Sequence, residues 1–217
     1  MTEVLNFYKY RTLIFSILMV FIPSYAFSEE LVLVASQDTS ITEHLQAGGA
    51  ESNHGGDPII QAIGSATFRS FPMIKFDFSG LTGSVVTGNA LFNIYVRDIH
   101  PKNGTVQKNI SLYTWSSLNW DENTITFSQV QFPTAPISLP SDLTLPKLGT
   151  VPIDISNRQT YISYSIPRAI VQGWIDDPAS NHGLALVNEQ TAIGHDVVLN
   201  AKGSTKDTEP TLSLNVN

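Results

Sequence analysis

Cysteine is absent from the 217-residue chain. Disulfides, thiol nucleophiles and thiolate metal sites are therefore excluded, and stability must come from an apolar core, or from a core with a metal held by oxygen or nitrogen. Charge is sparse: Asp, Glu, Lys and Arg make up 14% of the residues, and the formal net charge is −7. No run of Lys or Arg occurs, which argues against nucleic acid and anionic membrane surfaces as partners. Beyond residue 28 there is no second long apolar run, so nothing there reads as a membrane span. A Gly-x-Ser-x-Gly elbow, a phosphate-binding loop and a His-x-x-x-His pair are all missing. His44, His54, His100, His182 and His195 are scattered, a poor basis for zinc. No internal repeat or low-complexity tract is visible.

The start of the chain reads as an address. Lys9 and Arg11 precede the eleven residues Thr12–Ile22, of which only Thr12 and Ser16 are polar. As a helix that stretch rises about 16 Å, too short for about 30 Å of hydrocarbon. Small residues at Ser24, Ala26 and Ser28 fit a signal peptidase site, so residues 1–28 are expected to be a secretory signal peptide. The remainder, 29–217, is then exported to the cell surface, the extracellular space or a periplasm. It is long enough for one sizeable core and is expected to be a single domain.

Within 29–217 the dominant pattern has period two. In Met73–Phe78, Ile74, Phe76 and Phe78 alternate with Lys75 and Asp77. In Ala90–Val96, Ala90, Phe92, Ile94 and Val96 share one side, and Leu91, Asn93, Tyr95 and Arg97 the other. Gly80, Gly83 and Gly88 punctuate the connection. Asn103-Gly104 signals a hairpin, and Thr124–Phe127 is rich in strand formers. The proline-bearing stretch Phe132–Gly149 reads as an ordered surface loop. One helix is expected, near residues 165–176, with Ser165 as its cap and Pro167 in its first turn. Roughly ten short alternating strands and one short helix predict an all-β fold, an antiparallel jelly-roll β-sandwich.

A series of landmarks runs in order through the chain. It comprises Asp38-Thr39-Ser40-Ile41, Asn53-His54-Gly55, Arg69, Ile74–Leu81, Asn89–Tyr95, Trp120–Phe127, Ile153–Ser156, Val171–Trp174, Asn181–Leu186 and Glu209–Leu212. As an ordered set these resemble the DNRLRE-type domain, which is related to the family-96 carbohydrate-binding modules. The resemblance covers essentially all of 29–217. It implies a jelly-roll sandwich on a secreted protein of a polysaccharide-active or cell-surface system, and acidic polysaccharide as ligand. The chain departs from the family pattern at Asn200–Ser204, where a Ser-x-Glu is frequent, and in the Phe132–Gly149 stretch.

The residues that could carry binding fall into three groups. Arg69, Lys75 and Arg97 could line a polar sheet face and grip uronic acids, since guanidinium matches carboxylate geometry; the other reading is an ordinary solvated face. Trp115 is the aromatic candidate for stacking on a sugar ring, against a place in the core, and Trp120 and Trp174 read as core. Asp38, Asn53 and Asp77 are oxygen donors that could hold a structural Ca²⁺; otherwise they are turn residues bonding their own backbone. Asp121-Glu122-Asn123 forms a second oxygen cluster of the same kind. The expected function is non-catalytic binding of a polysaccharide or cell-surface glycan. The alternatives are a structural protein of a surface layer, matrix or appendage, for which self-association would be expected, and a small polysaccharide-active enzyme, whose paired carboxylates would leave no linear motif.

Overall fold

The computed structural model describes residues 28–44, 53–65, 68–100, 107–130, 143–190, 196–205 and 207–217. The signal peptide expected at 1–28, apart from Ser28, and the Asn103-Gly104 turn lie outside these. Eleven strands are described: β1 (Glu29–Val34), β2 (Gln37–His44), β3 (Ile59–Ile63), β4 (Phe68–Lys75), β5 (Ala90–His100), β6 (Lys108–Trp115), β7 (Leu143–Ile153), β8 (Thr160–Ile166), β9 (Leu184–Asn188), β10 (Asp196–Asn200) and β11 (Thr211–Val216). All pairings are antiparallel. They run β1-β11-β5-β10-β3-β4-β9-β6-β7, with β2 on β4 and β8 on β5. The result is a mostly-β fold in which one long antiparallel sheet curls around its core. Among the described residues no helix is long and apolar enough to cross a membrane.

Alternation decides which faces turn inward. Phe92, Ile94 and Val96 of β5, Ile162, Tyr164 and Ile166 of β8, and Leu212 and Leu214 of β11 enter the main core. There they meet Ile74, Phe76 and Phe78, as the period-two reading of that segment expects, although β4 itself ends at Lys75. Phe92 and Tyr164 stack with ring centroids 6.0 Å apart. The Tyr164 hydroxyl, buried in this layer, donates to the Ile110 carbonyl at 2.9 Å. A buried phenol keeps its proton, because burial raises the cost of the phenolate.

Strands β4, β6 and β9 are buried on both faces. Phe71 and Met73 of β4, Tyr113 and Trp115 of β6, and Ala185 and Val187 of β9 form a second apolar cluster on the far side of the sheet. The segment from Leu118 to Val130 closes over it with Trp120, Ile125 and Phe127. Thr124–Phe127, expected as a strand, is instead a turn leading into a 3₁₀ turn at Phe127–Gln129. The Asp121 carbonyl accepts both the Thr124 and Ile125 N–H groups, so local turn bonds outcompete a ladder. Covering this cluster needs a lid of large side chains; among the described residues no such lid lies over the outward face of β5, β8 and β11.

Two further boundaries differ from the sequence reading. Residues Leu143–Gly149, expected as part of a loop, open β7, which pairs with β6. Pro146 falls where that ladder shifts register, so its missing N–H interrupts no regular pairing. The helix α1 spans Arg168–Asp176, and Ser165 belongs to β8 rather than capping it. The capping acceptor is the Asn89 side chain, whose Oδ1 takes the Arg168 N–H at 3.1 Å from across the fold.

Candidate functional site

The bare face is built by alternation on four neighbouring strands. Outward from β5 point Leu91, Asn93, Tyr95 and Arg97. On β8, Ser165 faces Leu91, Ser163 faces Asn93 and Tyr161 faces Tyr95. On β11, Ser213 faces Leu91 and Thr211 faces Asn93; β1 then brings Val32 to Ser213 and Val34 to Thr211. Small hydroxyl and amide side chains fill the middle, and Ser163 Oγ donates to Asn93 Oδ1 at 2.6 Å.

At the Arg97 end this face deepens into a groove of about 500 Å³, lined by Pro58, Tyr95, Arg97, Gln159, Asn200, Gly203, Ser204, Thr205 and Thr208. One wall is the loop between β10 and β11. Its shape is held from within: the Tyr161 hydroxyl donates to the Asp207 carbonyl, and Gly203 N–H donates to Glu209 Oε1 at 2.7 Å. The other wall includes Gln159, a non-glycine residue at φ +60°, whose N–H is anchored on the Val96 carbonyl at 2.7 Å. Left-handed backbone at a long side chain is uncommon and is kept only where surroundings enforce it.

The floor carries an unused acceptor. Thr208 donates its single hydroxyl proton to the Thr205 carbonyl at 2.7 Å, so toward Asn200, also 2.7 Å away, it must accept. The Asn200 atom facing it is therefore Nδ2, which leaves Oδ1 as the free end. Asn200 is buried, and among the described residues its Oδ1 has no hydrogen-bond partner. A buried acceptor left unpaired costs roughly 1–3 kcal/mol.

Of the residues singled out from the sequence, Arg97 lies in this groove, and the other three do not join it. Lys75 is half-buried on β4, its ammonium 5.9 Å from the centre of the Trp120 ring, and burial pushes its pKa down. It borders a separate cleft of about 240 Å³ with Ser36, Gln37 and Asp77. Arg69 is buried at the other end of β4, with its guanidinium 5.9 Å from the Phe71 ring centre. Trp115 is 3% exposed within the second apolar cluster and offers no indole face to a sugar. The expectation that these four share one polar sheet face or loop cleft is thus corrected. The lid over β4 and β6 buries the side on which Arg69 and Trp115 lie.

The oxygen donors also separate. Asp77 is exposed, and its Oδ1 accepts the Ser79 N–H at 2.9 Å, a turn whose hydrogen bonds hold its carboxyl below the usual range. Asp38 and Asn53 instead converge on Glu122. The Asp38 N–H donates to Glu122 Oε2 at 2.9 Å, and Asn53 Nδ2 donates to the Glu122 carbonyl at 2.8 Å. The cation beside them is Lys202. Its ammonium is 2.5 Å from Glu122 Oε1 and 3.0 Å from the Ser36 carbonyl, and its N–H donates to Asp38 Oδ2. Burial, helped by the charges of Glu122 and Glu209, pushes the Asp38 carboxyl up to about 7 against the pull of Lys202. As they stand these residues do not fit calcium: Asp77 is absent from the cluster, and the Lys202 ammonium already pairs with Glu122. Among the described residues no three His, Asp or Glu side chains group as a metal site.

Sequence reasoning missed Tyr95, Gln159, Asn200 and Lys202. Tyr95 and Arg97 were legible as neighbours on one face of β5. The others come together only through pairing of distant segments. The chain matches no known protein-family model, and a search of curated proteins returned no match.

Proposed function

We propose that the chain is a secreted, non-catalytic carbohydrate-binding module of jelly-roll β-sandwich form, and that its ligand lies in the groove between β5 and the β10–β11 loop. The observation that carries the reading is the composition of that groove. It combines an aromatic ring (Tyr95), an exposed guanidinium (Arg97), and amide and hydroxyl groups. A ring packs on the apolar face of a sugar, amide and hydroxyl side chains answer sugar hydroxyls, and Arg97 pairs with a uronate carboxylate. The ligand class that satisfies all three is an acidic polysaccharide. Affinity electrophoresis through gels containing uronic-acid or neutral polysaccharide tests this. Retarded migration in the acidic gel, reduced by Arg97→Ala, is the expected result; unretarded migration in every gel would remove the reading.

One observation favours a second reading, a structural protein of a surface layer or matrix. Val32, Val34 and Leu91 are 58%, 47% and 45% exposed on the same face, and β1 ends the sheet order with β11 as its one described partner. Edge strands carrying apolar side chains invite pairing with another copy. Concentration-dependent sedimentation distinguishes this from a monomeric binder.

A further inference from the structure

Strand β1 closes one end of the sheet order, and among the described residues β11 is its one partner. Parity assigns its backbone groups. In an antiparallel ladder a residue turns its N–H and C=O to the same side, and successive residues alternate. The Ala35 N–H donates to the Pro210 carbonyl at 3.0 Å, one step beyond the pairing of Val34 with Thr211. Odd-numbered residues of β1 therefore bond β11. Strand β11 agrees: Asn215 and Asn217 bond Thr87 and Val85 on its other side, which leaves Leu212, Leu214 and Val216 for Leu33, Leu31 and Glu29. Glu30, Val32 and Val34 then direct their N–H and C=O groups away from the sheet. All three residues are exposed, and among the described residues no strand pairs with that edge.

From Leu31 to Ser36 this edge carries no proline, charge or bulge, the devices that guard natural edges. We infer that a second copy of this chain pairs antiparallel along β1, with Val32 opposite its own counterpart on the two-fold axis. Hydrogen bonding selects that register. It sets Glu30 of each copy opposite Val34 of the other, so every free N–H and C=O of Glu30, Val32 and Val34 finds a partner. Sliding the copies one way calls on Ser36, whose N–H already donates to the Lys75 carbonyl at 2.8 Å. Sliding them the other way brings the two Glu30 side chains to diagonal positions, where like charges repel. Charge also fixes the direction. The charged residues of β1 are Glu29 and Glu30, both at its start. Antiparallel pairing places them beside Ala35 and Val34 of the other copy, whereas parallel pairing would set acid against acid. On the core side Leu31 lands opposite Leu33; both are half-buried against the main core, and each copy would complete the cover of the other. The inference rests on the self-association reading and not on what the groove binds.

Because the chain has no cysteine, single substitutions report the register. Val32→Cys places two thiols on the axis with Cα atoms about 5.5 Å apart, within disulfide reach. Val34→Cys lies on the same face and is also exposed, but its counterpart is about 14 Å away, four residues along the strand. Under mild oxidation Val32→Cys is expected to form disulfide-linked dimer at least about 5-fold faster than Val34→Cys. Wild type is expected to associate in sedimentation as concentration rises toward about 1 mM, the range of a small transient interface. Val32→Lys, which opposes two ammonium groups across the axis, is expected to remain monomeric and to melt within about 3 °C of wild type. Equal cross-linking at both positions would overturn the inference, as would a Val32→Lys protein that associates like wild type. Wild-type association without preferential cross-linking of Val32→Cys would remove this contact and leave self-association through another surface. A wild type that stays monomeric throughout would remove both.

Discussion

Tyr95 and Tyr161 meet edge to face across β5 and β8, ring centroids 5.3 Å apart and planes at 76°. The pair links the two halves of the groove. Tyr95 lines it, while Tyr161 reaches past it to the Asp207 carbonyl in the opposite wall. Asp207 is held at φ +76°, so this contact secures a backbone conformation that the loop would not choose alone.

That linkage separates wall position from ring chemistry. Tyr161→Phe keeps the aromatic pair and loses only the bond to the loop. Retention of an acidic polysaccharide is expected to weaken about 2- to 10-fold, the worth of one hydrogen bond spent on ordering a binding wall. The melting temperature is expected to change little. Affinity electrophoresis and a melt on the same sample measure both; equal retention by the two proteins would show that the wall does not depend on Tyr161.

Asp38 makes stability depend on pH in a direction opposite to an ordinary paired carboxylate. Its folded pKa is about 7 and its usual value 3.8, so between these the folded state holds a proton that the unfolded chain has released. Stability from this group is therefore greatest at the acid end of the window and falls as pH rises toward 7. The slope is at most about 1.4 kcal/mol per pH unit. The groups facing Asp38 are Glu122, Glu209 and Lys202. Asp38→Asn, which is neutral at every pH and keeps an acceptor for the Lys202 N–H, is expected to gain on wild type from pH 4 to 7 and to hold that gain above. Urea unfolding of both proteins across that range tests it, and a constant difference would contradict the assignment.

Gly183 is a backbone requirement. At φ +87° it lies between Ile74 and Trp120, where a Cβ would come within 2.7 Å of the Ile74 carbonyl oxygen and 3.3 Å of the Trp120 ring. Its carbonyl accepts the Trp115 N–H at 3.1 Å, so it cannot rotate away without breaking the approach of β6. Gly183→Ala is expected to cost about 2–4 kcal/mol, read from the midpoint of urea unfolding with unchanged slope. A loss below about 0.5 kcal/mol, the range of a neutral surface change, would mean the segment relaxes freely.

Legibility varied along the chain for identifiable reasons. The β5 pattern was readable because one face of that strand is buried and the other open, which writes period two directly into the residues. The same logic misjudged β4. Lys75 and Asp77 suggested a polar side, yet Phe71 and Met73 on the Lys75 side are covered by the lid, and Arg69 is buried with them. Trp115 went the same way. For α1 the helical face was legible but its start was not, because the acceptor at its first N–H is Asn89, 79 residues earlier. The calcium expectation grouped Asp38 with Asn53 and Asp77 and left Lys202 out, because Lys202 is 164 residues from Asp38 and 80 from Glu122.

The residue order alone determined that this chain makes antiparallel strands, and which edge of each β5 and β8 residue meets water. Those outcomes depend on the pleat, a property of a few consecutive residues. Tertiary structure alone decided that the second apolar cluster is roofed by the Leu118–Val130 segment, that Arg97 shares a groove with Asn200, and that the Lys202 ammonium pairs with Glu122 beside Asp38. Each of these depends on which distant strands become neighbours, and local alternation carries no information about strand order.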